Sequence, residues 1–131
     1  MSYKKYSDLP NDGTSNLKNS QNSNIIEIEN LEHKNQLIQK NKVVIIDIYA
    51  TWCMPCNAIA PRFASLSEEY KPYGFVFTKE NVEKDITKGI RGVPNFHFYY
   101  KGNLVHTIMS ADMNAIKQEL EKLKQMVQHD F

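Results

Sequence analysis

Cysteine is scarce in this chain: Cys53 and Cys56 are the only two among 131 residues. Two cysteines cannot build the multi-bridge framework of a small secreted domain. Long apolar runs are missing as well. No stretch approaches the ~18 consecutive apolar residues of a membrane helix, which argues against a span. Neither sign of charge is in excess, since 16 Lys and Arg against 15 Asp and Glu leave a formal net charge of +1. A nucleic-acid partner is therefore not expected, because phosphate binding usually needs a basic patch or a high domain pI. The start "MSYKKYSDLP" has no apolar core behind its lysines and does not read as a secretory signal. It has no arginine, and Asp8 and Asp12 make it a poor transit peptide too. The expected address is a reducing cytoplasm, where a cysteine pair is more often catalytic or metal-binding than a permanent staple.

What is present divides the chain in two. Residues 1–23 contain "NDGTSNLKNSQNSN", almost free of apolar side chains, and are expected to form a disordered tail. Residues 24–131 are expected to form one domain. Within it, "IIEIE" reads as an edge strand, and Asn30 is placed to cap a helix over "LEHKNQLIQK" with Leu31, Leu37 and Ile38 towards a core. "VVIIDIY", Val43 to Tyr49, is apolar and β-branched throughout, as a central strand buried on both faces should be, apart from Asp47. Met54 to about Tyr70 reads as a helix with Ile59, Phe63 and Leu66 on one stripe and a kinking proline, Pro61, inside it. "GFVFTKENV" reads as a strand, and "EKDITKG" has room for one helical turn. "NFHFYY" and "LVHTIM" are predicted to pair through "KGN" as a three-residue hairpin loop. Ala111 to Val127 is helical, with Ile116, Leu120, Leu123 and Val127 on one face. The alternation of elements implies an α/β sandwich: a mixed sheet with helices on both faces.

The cysteines lie between a buried strand and a helix, in "ATWCMPCNAIAP". Structural zinc usually takes four ligands from two close pairs. Here there is no second cysteine pair, and His33, His97, His106 and His129 are scattered, so a metal site is disfavoured. The placement points to redox chemistry instead. A sulfur at a helix N-terminus meets backbone N–H groups and the positive end of the helix dipole, which favour the thiolate. The thiolate is the nucleophile of disulfide exchange. The CxxC spacing puts Cys56 within reach of Cys53, and Pro55 stiffens the turn at a helix position that needs no donor.

The run "VVIIDIYATWC-PC--IAP", followed in order by "FASLSEEY", "GIRGVP" and "FYYKG", resembles the thioredoxin family over about residues 25–128. That resemblance implies a thioredoxin-like three-layer sandwich with a shortened third helix. It implies a thiol–disulfide oxidoreductase that reduces protein disulfides. Cys53 would be the exposed attacking thiol and Cys56 the buried resolving thiol. Asp47, six residues before Cys53, would accept the proton of Cys56, its affinity raised by burial. Lys79 would neighbour Asp47. Trp52, Met54 and Pro55 would shape the substrate surface, and Pro94 would be cis, leaving the backbone of Val93 to pair with a bound peptide. Gly89 and Gly92 are expected to serve backbone turns. No cofactor is expected to be bound: the redox-active disulfide would be re-reduced by an NADPH-linked, thioredoxin-reductase-like donor, and the protein would work as a monomer. A disulfide oxidant or isomerase, and a non-catalytic binding module of the same fold, are the alternatives.

Four features depart from the family pattern. Met54 replaces the usual glycine between the cysteines, and Ser110 replaces a glycine that lets substrate approach. Glu80 sits at a normally apolar strand position, which implies either a frayed sheet edge or a register for Lys79 that is off by one. "NVEKDITKGIRGVP" is about four residues short, the equivalent of one helical turn.

Overall fold

The structure, a computed structural model, describes residues 24–130. The tail expected over residues 1–23 lies outside the described residues. Among the described residues, five strands form one sheet: β1 (Ile25–Glu27), β2 (Val43–Tyr49), β3 (Val76–Asn81), β4 (Asn95–Tyr100) and β5 (Asn103–Ile108). Among the described residues, three α-helices connect and flank them: α1 (Leu31–Lys40), α2 (Met54–Tyr70) and α3 (Met113–Gln128). The spatial order is β1-β3-β2-β4-β5. The strands β1, β3 and β2 run parallel, while β4 pairs antiparallel with β2 and β5 with β4. This is the expected mixed sheet of an α/β sandwich.

Period-2 alternation sorts the sheet into two cores. Val43 and Ile45 of β2, with Phe77, Phe96 and Phe98, face α2 and α3. There Phe63 of α2 sits against Phe77 and Phe96, with ring centroids 5.1 and 5.6 Å apart. Ile116, Leu120 and Leu123 of α3 are fully buried in the same core, as their spacing predicts. Each such side chain contributes about 1.5–3 kcal/mol by leaving water. The opposite face carries Val44, Ile46 and Ile48 against Leu37 and Ile38 of α1. β2 is thus covered on both sides, which explains its unbroken apolar run.

Local chemistry sets the element ends. Asn30 Oδ1 accepts the N–H of His33 at 2.8 Å and caps α1. Asp112 caps α3 through the N–H of Ala115 at 3.1 Å, so that helix begins two residues later than expected. Helix α2 occupies the predicted span and continues through Pro61.

Several expectations need correction. Leu31 is 54 % exposed rather than in the core; it stands at the first residue of α1, and Lys34, one turn on, is buried instead. The hairpin loop has two residues, not three. Tyr100 pairs with Asn103, and Lys101 (φ 50°) and Gly102 (φ 85°) are both left-handed, the geometry that matches the strand twist. A register shift opposite Phe98 and Tyr99 leaves Val105 as an extra residue in β5. Between β3 and β4 the shortening leaves only a single 3-10 turn, Val82–Lys84, one residue ahead of the segment predicted for it. Asn81 Oδ1 caps it through the N–H of Glu83, and left-handed Asp85 ends it.

Candidate redox site

The C-terminal end of β2 delivers the chain into the tight turn Ala50–Cys53, closed by the Cys53 N–H donating to the Ala50 carbonyl at 3.2 Å. Cys53 is then the N-cap of α2, and its Sγ accepts the N–H of Cys56 at 3.1 Å. Met54 and Pro55 are the first two residues of the helix, where a missing N–H costs nothing. Cys53 and Cys56 are joined as a disulfide with their Cα atoms 5.2 Å apart.

Burial corrects one expectation. Cys53 is 4 % exposed and Cys56 3 %, so Cys53 is not the exposed member of the pair. What separates the two sulfurs is position: Cys53 Sγ lies at the open end of the helix, against an N–H that would stabilise a thiolate. The pair packs with Ala50, and Tyr49, Val82 and Val93 close around it. Two large apolar side chains are exposed beside this buried pair. Trp52 is 67 % and Met54 79 % exposed, so the tryptophan is not a core residue. Val93, in contact with the cysteine cluster, is joined to buried Pro94 by a cis peptide bond.

Asp47 lies on the α2 face of β2, buried, with Oδ1 lacking a hydrogen-bond partner among the described residues. Burial pushes its carboxyl up to about 7, against the opposing pull of the Lys79 charge; the Glu27 carboxylate pushes in the same direction as burial. A carboxyl poised there can both hold and release a proton near neutrality. The register Asp47↔Lys79 is the one expected, so the sequence position of Lys79 was read correctly. Glu80 neither frays an edge nor shifts the register. It is in an interior strand, 1 % exposed, with Lys34 Nζ 3.5 Å from Oε1 and the Thr87 N–H donating to Oε2 at 3.2 Å.

Two neighbours of the site escaped sequence reasoning. Glu27 stands on the rung next to Lys79 and accepts hydrogen bonds from the Tyr49 hydroxyl, both oxygens at 3.1 Å. Its only sequence signal was the alternation of "IIEIE", which says that a side chain faces one way and nothing about what it meets. Met109 is exposed just past β5, and its Sδ is 3.7 Å from where a Cβ on Gly92 would lie. A hydrophobe after a strand end carries no signal of its own. Among the described residues no group of three His, Cys, Asp or Glu side chains is placed to hold a metal ion. No helix among them is long and apolar enough to cross a membrane.

With this geometry in view, comparisons with known proteins are specific. The family described as Thioredoxin matches residues 24–126. A thioredoxin of Coprinus comatus is 36% identical over 99 residues, covering 72% of this chain and 93% of the relative. Oxidised mitochondrial thioredoxin 3 of Saccharomyces cerevisiae superposes with a TM-score of 0.73 at 31% identity, covering 79% of this chain and 98% of that one. A chain in the solved complex of ferredoxin:thioredoxin reductase with thioredoxin f2 gives a TM-score of 0.70 at 26% identity, over 77% of this chain and 96% of that one.

Proposed function

The chain belongs to the thioredoxin family and is a thiol–disulfide oxidoreductase, and on that premise we propose that it works as a reductant of protein disulfides, with Cys53 attacking and Cys56 resolving. The observation that carries the reading is a disulfide at the N-terminus of α2, with buried Asp47 on the strand that leads into it and Val93, of the cis Val93–Pro94 bond, packed against its cluster. The electron-carrying group is the disulfide itself, and the family's chemistry needs no bound cofactor.

In the proposed cycle the Cys53 thiolate attacks a target disulfide, forms a mixed disulfide and releases one target thiolate. The Cys56 thiol passes its proton to Asp47 and attacks Cys53 Sγ. The second target thiolate leaves, two electrons have moved to the target, and Cys53–Cys56 is oxidised. Trp52, Met54 and Pro55 form the surface that meets the target, and the Val93 backbone pairs with its extended chain beside Pro94. Lys79 moderates Asp47 by its charge. A reductase-type donor closes the cycle; the solved relative bound to ferredoxin:thioredoxin reductase supports a partner of that kind, and we assign an NADPH-linked one here. The protein is proposed to act as a monomer in the cytoplasm, where thiols are kept reduced; the mitochondrial relative makes fractionation the deciding measurement.

Reduction of insulin disulfides with dithiothreitol should be accelerated by the protein and not by Cys53→Ser. Cys56→Ser should accumulate mixed disulfides detectable by mass spectrometry; their absence would reverse the assigned roles. Asp47→Asn should slow resolution by about 10-fold or more and leave the first attack near its original rate, the scale of a lost general base. A glutathione titration fixes the direction of electron flow. A midpoint near about −270 mV supports a reductant, and one near about −120 mV would make the protein an oxidant.

A further inference from the structure

Glu27, Lys79 and Asp47 occupy one rung across three adjacent parallel strands, β1, β3 and β2. All three side chains therefore leave the same face of the sheet, the face that carries α2. Lys79 Nζ lies 3.7 Å from Glu27 Oε1, and it also stands over the Tyr49 ring, 5.7 Å from the centroid. Tyr49 holds Glu27 from the other side, its hydroxyl donating to both carboxylate oxygens at 3.1 Å. The same tyrosine packs against the cluster formed by Ala50, Cys53 and Cys56. A carboxylate on the edge strand is thus connected to the redox centre by two routes: the Lys79 charge that acts on Asp47, and Tyr49, which packs against the cluster that holds the cysteines.

We propose that Glu27 is a positioning residue of the redox cycle: held by Tyr49, its carboxylate anchors the Lys79 ammonium and thereby sets how readily Asp47 takes the proton of Cys56. The inference rests on the role given to Asp47 above. Two effects act in one direction. The negative charge of Glu27 makes protonation of Asp47 easier, and its hold on Lys79 competes with the opposing pull of that ammonium on Asp47. Among the described residues, the charged and titratable groups that act on Glu27 and Asp47 include Lys79 from β3, Tyr49 from β2 and Lys84 from the 3-10 turn. Glu27 is itself buried enough that its carboxyl is raised, mainly by lost hydration, with Lys79 and Tyr49 working against that.

The test uses the full chain, with the Asp47 carboxyl carbon followed by NMR against pH and the resolution step timed in parallel. Glu27→Gln should move the Asp47 midpoint down by about half a unit and carry the acid limb of the resolution rate with it. Lys79→Met should move both upward, and in that background Glu27→Gln should lose a good part of its effect. An unmoved Asp47 midpoint in Glu27→Gln overturns the inference. So does a shift in the same direction for both single variants, which would mark a folding perturbation and not a charge effect. If Asp47→Asn leaves resolution unchanged, the base role of Asp47 falls, and the role of Glu27 in the cycle falls with it, whatever the midpoints show. If Asp47→Asn slows resolution while the midpoint stays put in Glu27→Gln, only the Glu27 proposal fails.

Discussion

Lys79 and Glu80 are consecutive residues of β3, yet they lead to two opposite treatments of buried charge. On the α2 face, Lys79 shares a rung with Asp47 and Glu27 at the rim of the redox site, and Asp47 keeps a buried oxygen without a hydrogen-bond partner among the described residues. On the α1 face, Glu80 Oε1 also lacks a hydrogen bond among the described residues, but Lys34 Nζ stands 3.5 Å from it as a counterion, Oε2 accepts the Thr87 N–H, and Lys34 also donates to the Thr87 hydroxyl. The first arrangement leaves a carboxylate costly to ionise, with its proton affinity raised into the working range. The second compensates its charge and ties α1 to the loop that leads towards Pro94. A fold can therefore hold two buried acids a few ångströms of backbone apart and use one for chemistry and the other for structure. The difference lies in what faces each of them, not in the residue type.

The largest expected effect breaks the structural half of the comparison. Lys34→Met keeps the buried stem but leaves Glu80 without a counterion, and should cost about 4 kcal/mol in urea unfolding. Restoring most of that loss with Glu80→Leu in the same chain would show that the penalty is the orphaned charge.

The functional half should respond to pH. The Asp47 carboxyl is raised in the folded protein from 3.8 to about 7, so the folded state holds a proton that the unfolded chain releases between those values. Stability is therefore lost as pH rises through that window, and the penalty is complete above about 7. Asp47→Asn removes the penalty. Its stability relative to the parent should improve by about 4 kcal/mol between pH 4 and pH 8, measured on the oxidised proteins. A flat difference across that range would remove the claim that burial makes Asp47 costly to ionise.

The smallest effect refines the structural face. Thr87→Val removes the hydroxyl that Lys34 reaches but keeps the shape and the N–H that serves Glu80, and should cost about 1 kcal/mol with disulfide turnover unchanged.

The legible parts of this molecule share a property. β2, α2 and α3 were read within two residues because burial forces an apolar pattern with the period of the element. The redox pair was legible because helix N-terminus, spacing and chemistry all lie within four residues. Leu31 was misplaced because helical period does not say which end of a stripe hangs past the core. The hairpin loop was read one residue too long because a left-handed lysine, Lys101, carries no signature of its own beside Gly102. The Lys34 counterion of Glu80 and the Glu27 carboxylate beside Lys79 were not legible, because they lie 46 and 52 residues away in the chain.

By itself the sequence determined the chemistry class, the order of elements and the identity of the two cysteines, because those follow from residue type and short-range spacing. Only the tertiary structure decided which charges meet. It buried Cys53 as deeply as Cys56, gave Glu80 its lysine, and set Glu27 beside Lys79 at the edge of the site. The physical reason is range: backbone preference and hydrophobic period act over a few residues, whereas the energy of a buried charge depends on every group that folding brings within several ångströms of it.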